Sequence, residues 1–217
     1  MSADAADPGV TASALADLGA ATLGESGARS MPPRIRPVWP GATVAAPAYP
    51  VRCTPGDNLA IHVAVTRAPA GSVLVVDVGD VSDRGYWGEV LTTGALARRI
   101  DGLVIDGGVR DVAALERLGF PVFSRTIALR GASKIRRGTV GTPVEVAGTT
   151  VAPGDWVVGD GDGVVVVPGD RIHAVIEAGR ARTTAEEGYF AALRDGATTV
   201  GLLGLDASLI DDGAAPA

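Results

Sequence analysis

The chain is poor in residues able to do demanding chemistry: two histidines, His62 and His173, one cysteine, Cys53, and one lysine, Lys134. A Schiff-base mechanism would have to use Lys134, whose neighbours in SKIRR, Arg136 and Arg137, are cations that lower an amine's pKa. The same run also reads as a solvated basic turn, and that reading is preferred. The informative stretch is VIDGGVRD, residues 104–111. Its pattern predicts a strand ending near Asp106, a tight turn allowed by Gly107 and Gly108, and a helix opened by Arg110 and Asp111. A helix start gathers free N–H groups and the positive end of the dipole, which favours anions. Arg110 there can grip a carboxylate bidentately, and Asp111 can bind a hard cation such as Mg²⁺ through oxygen. Together they suit a 2-oxo acid, whose keto oxygen a metal polarises and whose enolate it stabilises. Glu89 can then orient a metal-bound water. An Arg-Asp pair at a helix start is also a common capping and solubility feature.

The other candidates read more plainly. His62 sits in a helical stretch after GDN and reads as a packed structural side chain; His173 reads as surface. Cys53 lacks the nearby partner a catalytic thiol needs and reads as a small buried group. Ser82, Ser124 and Ser133 stand outside any nucleophile elbow. Asp160 and Asp162 in GDGDG lack the further ligands of a calcium loop and read as a hairpin turn. The glycine-rich segments over 154–163 carry neither a phosphate-loop lysine nor GxGxxG after a strand, which argues against nucleotide binding.

These residues need a frame. At 217 residues and 47% hydrophobic content the chain can bury one substantial core. Residues 1–10 read as a disordered tail, 11–206 as a single domain and 207–217 as a second tail. The formal charge of −6, without a Lys/Arg stripe, argues against nucleic acid as a partner. A single cysteine fits a reducing compartment, and no apolar run or leader is long enough for a membrane, so a cytoplasmic location is expected.

Apolar spacing predicts a helix over 10–23, and the Pro/Gly-rich passage that follows cannot be helical. Asp57 is placed as N-cap of the helix LAIHVAVTRA, and 69–78 reads as a turn into a buried strand. A second unit follows: helix 95–100, strand 102–107, helix 109–119 closed by Gly119, then the strand PVFSRTIA. This alternation implies parallel pairing through crossover helices. Residues 139–167 change to short strands between Gly, Pro and Asp turns, an antiparallel region. A long amphipathic helix spans 170–196. The fold class is α/β with mixed parallel and antiparallel layers flanked by helices.

GDN at 56–58, the GE of WGEVL, DGGVRD and DGDGVVVVP at 160–168 occur in the order and approximate spacing of the RraA-like family, which the sequence resembles from about residue 11 to about 206. That family includes 4-hydroxy-4-methyl-2-oxoglutarate/4-carboxy-4-hydroxy-2-oxoadipate aldolases. The resemblance implies an αββα sandwich of swivelling β/β/α topology, assembled as trimers or hexamers with sites between subunits. It implies a metal-dependent, class II cleavage of a 4-hydroxy-2-oxo acid to pyruvate, with oxaloacetate decarboxylation as a side activity and Mg²⁺, Mn²⁺ or another divalent metal as cofactor. Arg110 looks like the family's substrate-binding arginine and Asp111 like its direct metal ligand. Gly88, Glu89, Val90 and Leu91 look like the loop whose backbone amides contact pyruvate, with Glu89 holding a metal-bound water. Glu186 is similar to a helix glutamate that reaches the metal waters of a neighbouring subunit, and Glu187 competes for that role. Tyr86 and Trp87 are bulkier than the family pattern and ARRIDG replaces its small-residue turn, so these positions are expected to reshape or cap the pocket. The same resemblance also allows two rivals: a non-catalytic regulator that binds a ribonuclease, or a relative repurposed for a specialised biosynthetic substrate.

Overall fold

The computed structural model describes residues 8–210. In chain order these form α1 (Pro8–Glu25), β1 (Arg29–Ser30), β2 (Arg36–Pro37), β3 (Val44–Arg52), α2 (Leu59–Arg67), β4 (Val73–Asp77), β5 (Gly85–Trp87), α3 (Glu89–Ala97), β6 (Gly102–Val109), α4 (Val112–Arg117) and β7 (Val122–Ile127). There follow β8 (Thr139–Val140), β9 (Val144–Val146), β10 (Thr149–Val151), β11 (Trp156–Gly159), β12 (Val164–Val167), α5 (Ile172–Arg194) and α6 (Thr199–Leu202). Of the expected tails, 1–7 and 211–217 lie outside the described residues. Residues 8–10 belong to α1, and Ala207–Leu209 form a 3-10 turn.

One sheet runs in the order β1, β12, β11, β3, β4, β6, β7, β2, with β5 beside β6 and β8 beside β3. The neighbours β3, β4, β6 and β7 pair in parallel, as the alternation of strands and helices predicts. The expected antiparallel region is divided: β9 and β10 make a separate hairpin, while β11 and β12 extend the main sheet through β3.

Strand periodicity sorts the side chains into three cores. On β4 and β6, Leu74, Val76, Leu103 and Ile105 face α2, α3 and α4, where they meet Ile61, Ala64, Ala95 and Leu115. Val73, Val75 and Val104 point the other way, against Phe123, Val144 and Val166. Trp156, Val158 and Val165 face Leu15, Leu23 and Val175 of α1 and α5. The sheet therefore curls back over its own inner core with helices outside both faces, which is the αββα arrangement. Every residue of β6 is buried, as a parallel strand covered on both faces requires.

Several boundaries differ from expectation. Asn58 rather than Asp57 stands at the N-cap of α2, although the Asp57 carboxylate accepts the Leu59 N–H at 2.8 Å. The helix before β6 starts at Glu89, not Ala95. β6 continues through Gly107 and Gly108 to Val109, so those glycines make no turn. A Cβ on Gly108 would lie 2.5 Å from the Arg84 carbonyl oxygen and 2.7 Å from Ala128 Cβ, so close packing excludes a side chain there. The helix after β6 is consequently short, 112–117, and Gly119 closes it with φ +64.

Asp160 turns the β11–β12 hairpin, as expected, by accepting the Asp162 N–H. Its other oxygen accepts the Ala20 N–H at 2.7 Å, beside the break in α1 at Gly19.

Candidate active site

Beyond the carboxyl ends of β5 and β6 lies a cavity of ≈ 210 Å³. This is where open α/β sheets place ligands. Arg110 and Asp111 line it as they leave β6, and Gly88, Val90 and Leu91 line it as they enter α3. Glu89–Leu91 are thus the first turn of a helix, not a loop, and Gly88 is its N-cap. The rest of the lining comes from Gly85, Tyr86 and Trp87 of β5, from Asn58 and His62 of the α2 segment, and from Gly131, Ala132 and Lys134.

Local backbone geometry sets the Arg110–Asp111 pair. The Arg110 N–H donates to the Trp87 carbonyl at 3.0 Å, fastening the end of β6 to β5. Asp111 then adopts a left-handed conformation, φ 59 and ψ 36, at the N-cap of α4. Its Oδ2 accepts the Glu89 N–H at 3.0 Å and lies 3.9 Å from Arg110 Nε. Gly88 is what permits this approach: a Cβ there would fall 2.4 Å from Asp111 Oδ2 and 3.1 Å from Arg110 Cγ. Both side chains stay open to solvent, at 44% for Arg110 and 42% for Asp111, so a ligand in the cavity can reach them.

The acidic residues assigned to metal waters are not gathered with them in one chain. The Glu89 carboxylate pairs with Arg117 at 2.9 Å and does not line the cavity. Glu186 lies on α5, paired with Arg182 at 2.8 Å, and neither it nor Glu187 lines the cavity. Arg182 also contacts Glu25 of α1. Among the described residues no group of three or more His, Cys, Asp or Glu converges to hold an ion.

GDN acts as the clamp of the site. Asp57 is buried, and its Oδ2 accepts the Ser133 hydroxyl at 2.7 Å, the Ile135 N–H at 2.7 Å and the Arg136 N–H at 3.1 Å. Burial opposes its ionisation, but those donors together with the Leu59 N–H outweigh it and hold the carboxyl below its ordinary value. Asn58 Nδ2 donates to the Tyr86 carbonyl at 2.8 Å. One motif therefore pins both the 131–136 segment and β5 around the cavity.

Tyr86 and Trp87 both line the cavity; their side chains are buried, so they shape its wall rather than form an exposed cap. The Tyr86 hydroxyl accepts the Gly56 N–H and donates to the Val81 carbonyl. Trp87 stacks on Phe120 at 5.7 Å and donates from Nε1 to Thr92 Oγ1 at 2.7 Å. These bonds fix them as part of the cavity wall. Lys134, read from sequence as part of a solvated turn, is a wall of the cavity, and the i, i+4 spacing of Asn58 and His62 is the signal that could have found that pair. Cys53 is buried, and burial pushes its thiol up to about 12, as an inert core group requires. His173 is exposed.

Residues 5–166 match the RraA-like family, described as Aldolase/RraA. The chain belongs to the RraA-like family. A protein of Halalkalibacterium halodurans named "Putative 4-hydroxy-4-methyl-2-oxoglutarate aldolase" is 32% identical over 161 residues, which are 74% of this chain and 77% of that one. A crystal structure from Pseudomonas syringae pv. tomato superposes with a TM-score of 0.78 at 31% identity, covering 88% of this chain and 91% of the other. Streptomyces coelicolor RraAS2, described as an unusual member of the RNase ES inhibitor RraA protein family, superposes at 0.74 with 26% identity, covering 84% and 96%. RraA-like relatives thus carry both aldolase and inhibitor names. Among the described residues no helix is long and apolar enough to cross a membrane.

Proposed function

We propose that this RraA-like chain is a metal-dependent carbon-carbon lyase, which cleaves a 4-hydroxy-2-oxo acid to pyruvate and a second carbonyl compound and decarboxylates oxaloacetate through the same enolate. The observation that carries the proposal is the placement of Arg110 and Asp111 side by side, solvent-accessible, in a cavity beside the first turn of α3. The aldolase name of the Halalkalibacterium relative supports it.

The donor set fits a hard, water-rich cation. Asp111 is the one carboxylate lining the cavity, and its Oδ1 makes no hydrogen bond among the described residues. Mg²⁺ and Mn²⁺ accept one carboxylate and keep several waters, whereas a closed zinc site needs three or four protein ligands. When bound, such an ion polarises the 2-oxo group and stabilises negative charge as the C3–C4 bond breaks. Arg110 holds the C1 carboxylate through its planar fork. The first turn of α3 lines the same cavity through Val90 and Leu91 behind its N-cap Gly88, and the helix dipole adds to the attraction for that anion.

A homotrimer or homohexamer with sites between subunits belongs to this reading. The buried residues of α5 are Val175, Ile176 and Gly179, all in its first eight positions. Its later part exposes Tyr189 at 41% and Phe190 at 50%, and Leu203 and Leu205 beyond it are more than half exposed. In this reading a second copy covers this apolar length and Glu186 of one subunit serves the metal waters at a neighbour's Asp111, with Glu89 joining it by leaving its pair with Arg117. The acidic chain with its single thiol suits the cytoplasm.

The test is pyruvate release from oxaloacetate and from 4-hydroxy-4-methyl-2-oxoglutarate, with Mg²⁺ or Mn²⁺ and with EDTA. Turnover that EDTA abolishes is expected, and no pyruvate from either compound would overturn the proposal. The likeness to RraAS2 favours a second reading, a non-catalytic regulator that contacts a ribonuclease. Stoichiometric capture of such a partner by a protein without turnover would establish it.

A further inference from the structure

Two polar atoms in the cavity wall are left without partners. Asn58 Oδ1 and His62 Nε2 are both buried, and neither has a hydrogen-bond partner among the described residues. Buried polar atoms are nearly always paired, because an unpaired one forfeits its hydration for nothing. These two belong to residues one helical turn apart: the His62 N–H donates to the Asn58 backbone carbonyl at 3.2 Å, so both side chains lie on one face of α2. That face lines the same cavity as Arg110 and Asp111. The remaining polar atom of Asn58, Nδ2, is already committed to the Tyr86 carbonyl at 2.8 Å, which fixes the amide and leaves Oδ1 as the free acceptor.

We infer that His62 is the general base of the cleavage. This rests on the aldolase reading above. With C1 on Arg110 and the 2-oxo group toward Asp111, the substrate's C4 end extends to the α2 wall. His62 Nε2 takes the proton of the C4 hydroxyl; the O–H pair becomes the second C–O bond of the departing carbonyl, and the C3–C4 pair becomes the enolate of pyruvate. Return of that proton from Nε2 to C3 completes pyruvate. Three influences act on the imidazole: burial and the nearby charge of Lys134 push its pKa down, against Asp57, which pushes it up. The net direction is down, which keeps His62 neutral and able to accept a proton near neutral pH.

The experiment compares two substrates in one protein. Cleavage of 4-hydroxy-4-methyl-2-oxoglutarate requires removal of a hydroxyl proton, whereas oxaloacetate loses CO₂ from a carboxylate that has no such proton. In the metal-loaded full-length His62→Gln protein, the ratio of cleavage to decarboxylation turnover should fall by about 100-fold or more. His62→Asn, read in parallel, guards against a misfolded first variant, and decarboxylation itself reports an assembled site. A purely structural role for His62 moves both reactions together and leaves the ratio unchanged, which would overturn the inference while the aldolase reading stands. A wild-type protein that releases pyruvate from neither compound would instead sink the aldolase reading, and the inference with it.

Discussion

Asp111 Oδ2 accepts the backbone N–H of Glu89 at 3.0 Å, so the residue that caps α4 also fastens the first turn of α3 across the cavity mouth. The carboxylate sits on a left-handed backbone, φ 59, which asparagine and aspartate tolerate far better than alanine. Asp111→Ala should therefore cost about 1.5–3.5 kcal/mol, the sum of a lost hydrogen bond and backbone strain. Asp111→Asn, which keeps an acceptor, should cost less than about 1 kcal/mol. Urea unfolding of the two variants distinguishes them, and equal losses would contradict this account of the cap.

Gly88 has an extended backbone, φ −174, so its role is space rather than conformation. A methyl group would meet Asp111 Oδ2 at 2.4 Å and displace the carboxylate from the cavity. Gly88→Ala should lower kcat by about 100-fold, the scale on which small misplacements of a site act. Steady-state kinetics at saturating metal would show it, and wild-type kcat would refute the contact.

Arg110→Lys keeps the charge but replaces a planar fork with a point charge. KM for the 2-oxo acid should rise about 10-fold or more, the equivalent of one charge-assisted hydrogen bond, and kcat should change less. An unaltered KM would remove Arg110 from carboxylate binding.

Asp57 links stability to pH. Its folded-state pKa lies below the ordinary 3.8, so the folded protein binds fewer protons than the unfolded chain between those two values. The stabilisation is full above the unfolded value and is lost as pH falls through the folded one. Asp57→Asn should lower unfolding free energy by about 1–3 kcal/mol at pH 7, with a gap that stays flat down to about pH 5 and closes in stronger acid. Urea unfolding across that range tests the sign; a gap widening toward acid would contradict it.

The sequence was most legible where periodicity and chemistry agree. The buried runs of β4 and β6, the long α5 and the glycine stop at Gly119 follow from local pattern alone. Gly107 and Gly108 misled because a glycine needed for close packing has the same letter as one needed for a turn, and only the strand passing alongside distinguishes them. Tyr86 and Trp87 are legible as pocket residues and both line the cavity, but a strand of three residues gives no alternation from which to read that their side chains are buried. Arg110 and Asp111 were readable as a pair, but Lys134 and the Asn58–His62 face were not, since their place in the cavity depends on Asp57 tying together segments 76 to 79 residues apart. Glu186 does not line the cavity that Asp111 lines, and a contact between subunits is nothing that a reading of one chain supplies.

The most direct test of the central claim is pyruvate formation from oxaloacetate by the wild type and by Asp111→Asn, each titrated with Mn²⁺ after EDTA treatment. Asparagine keeps the hydrogen bond to Glu89 and the backbone but gives up the anionic ligand. The account predicts Mn²⁺-dependent turnover in the wild type and turnover reduced by about 100-fold or more in a variant of near-normal stability. Equal, metal-independent rates in the two proteins would contradict it.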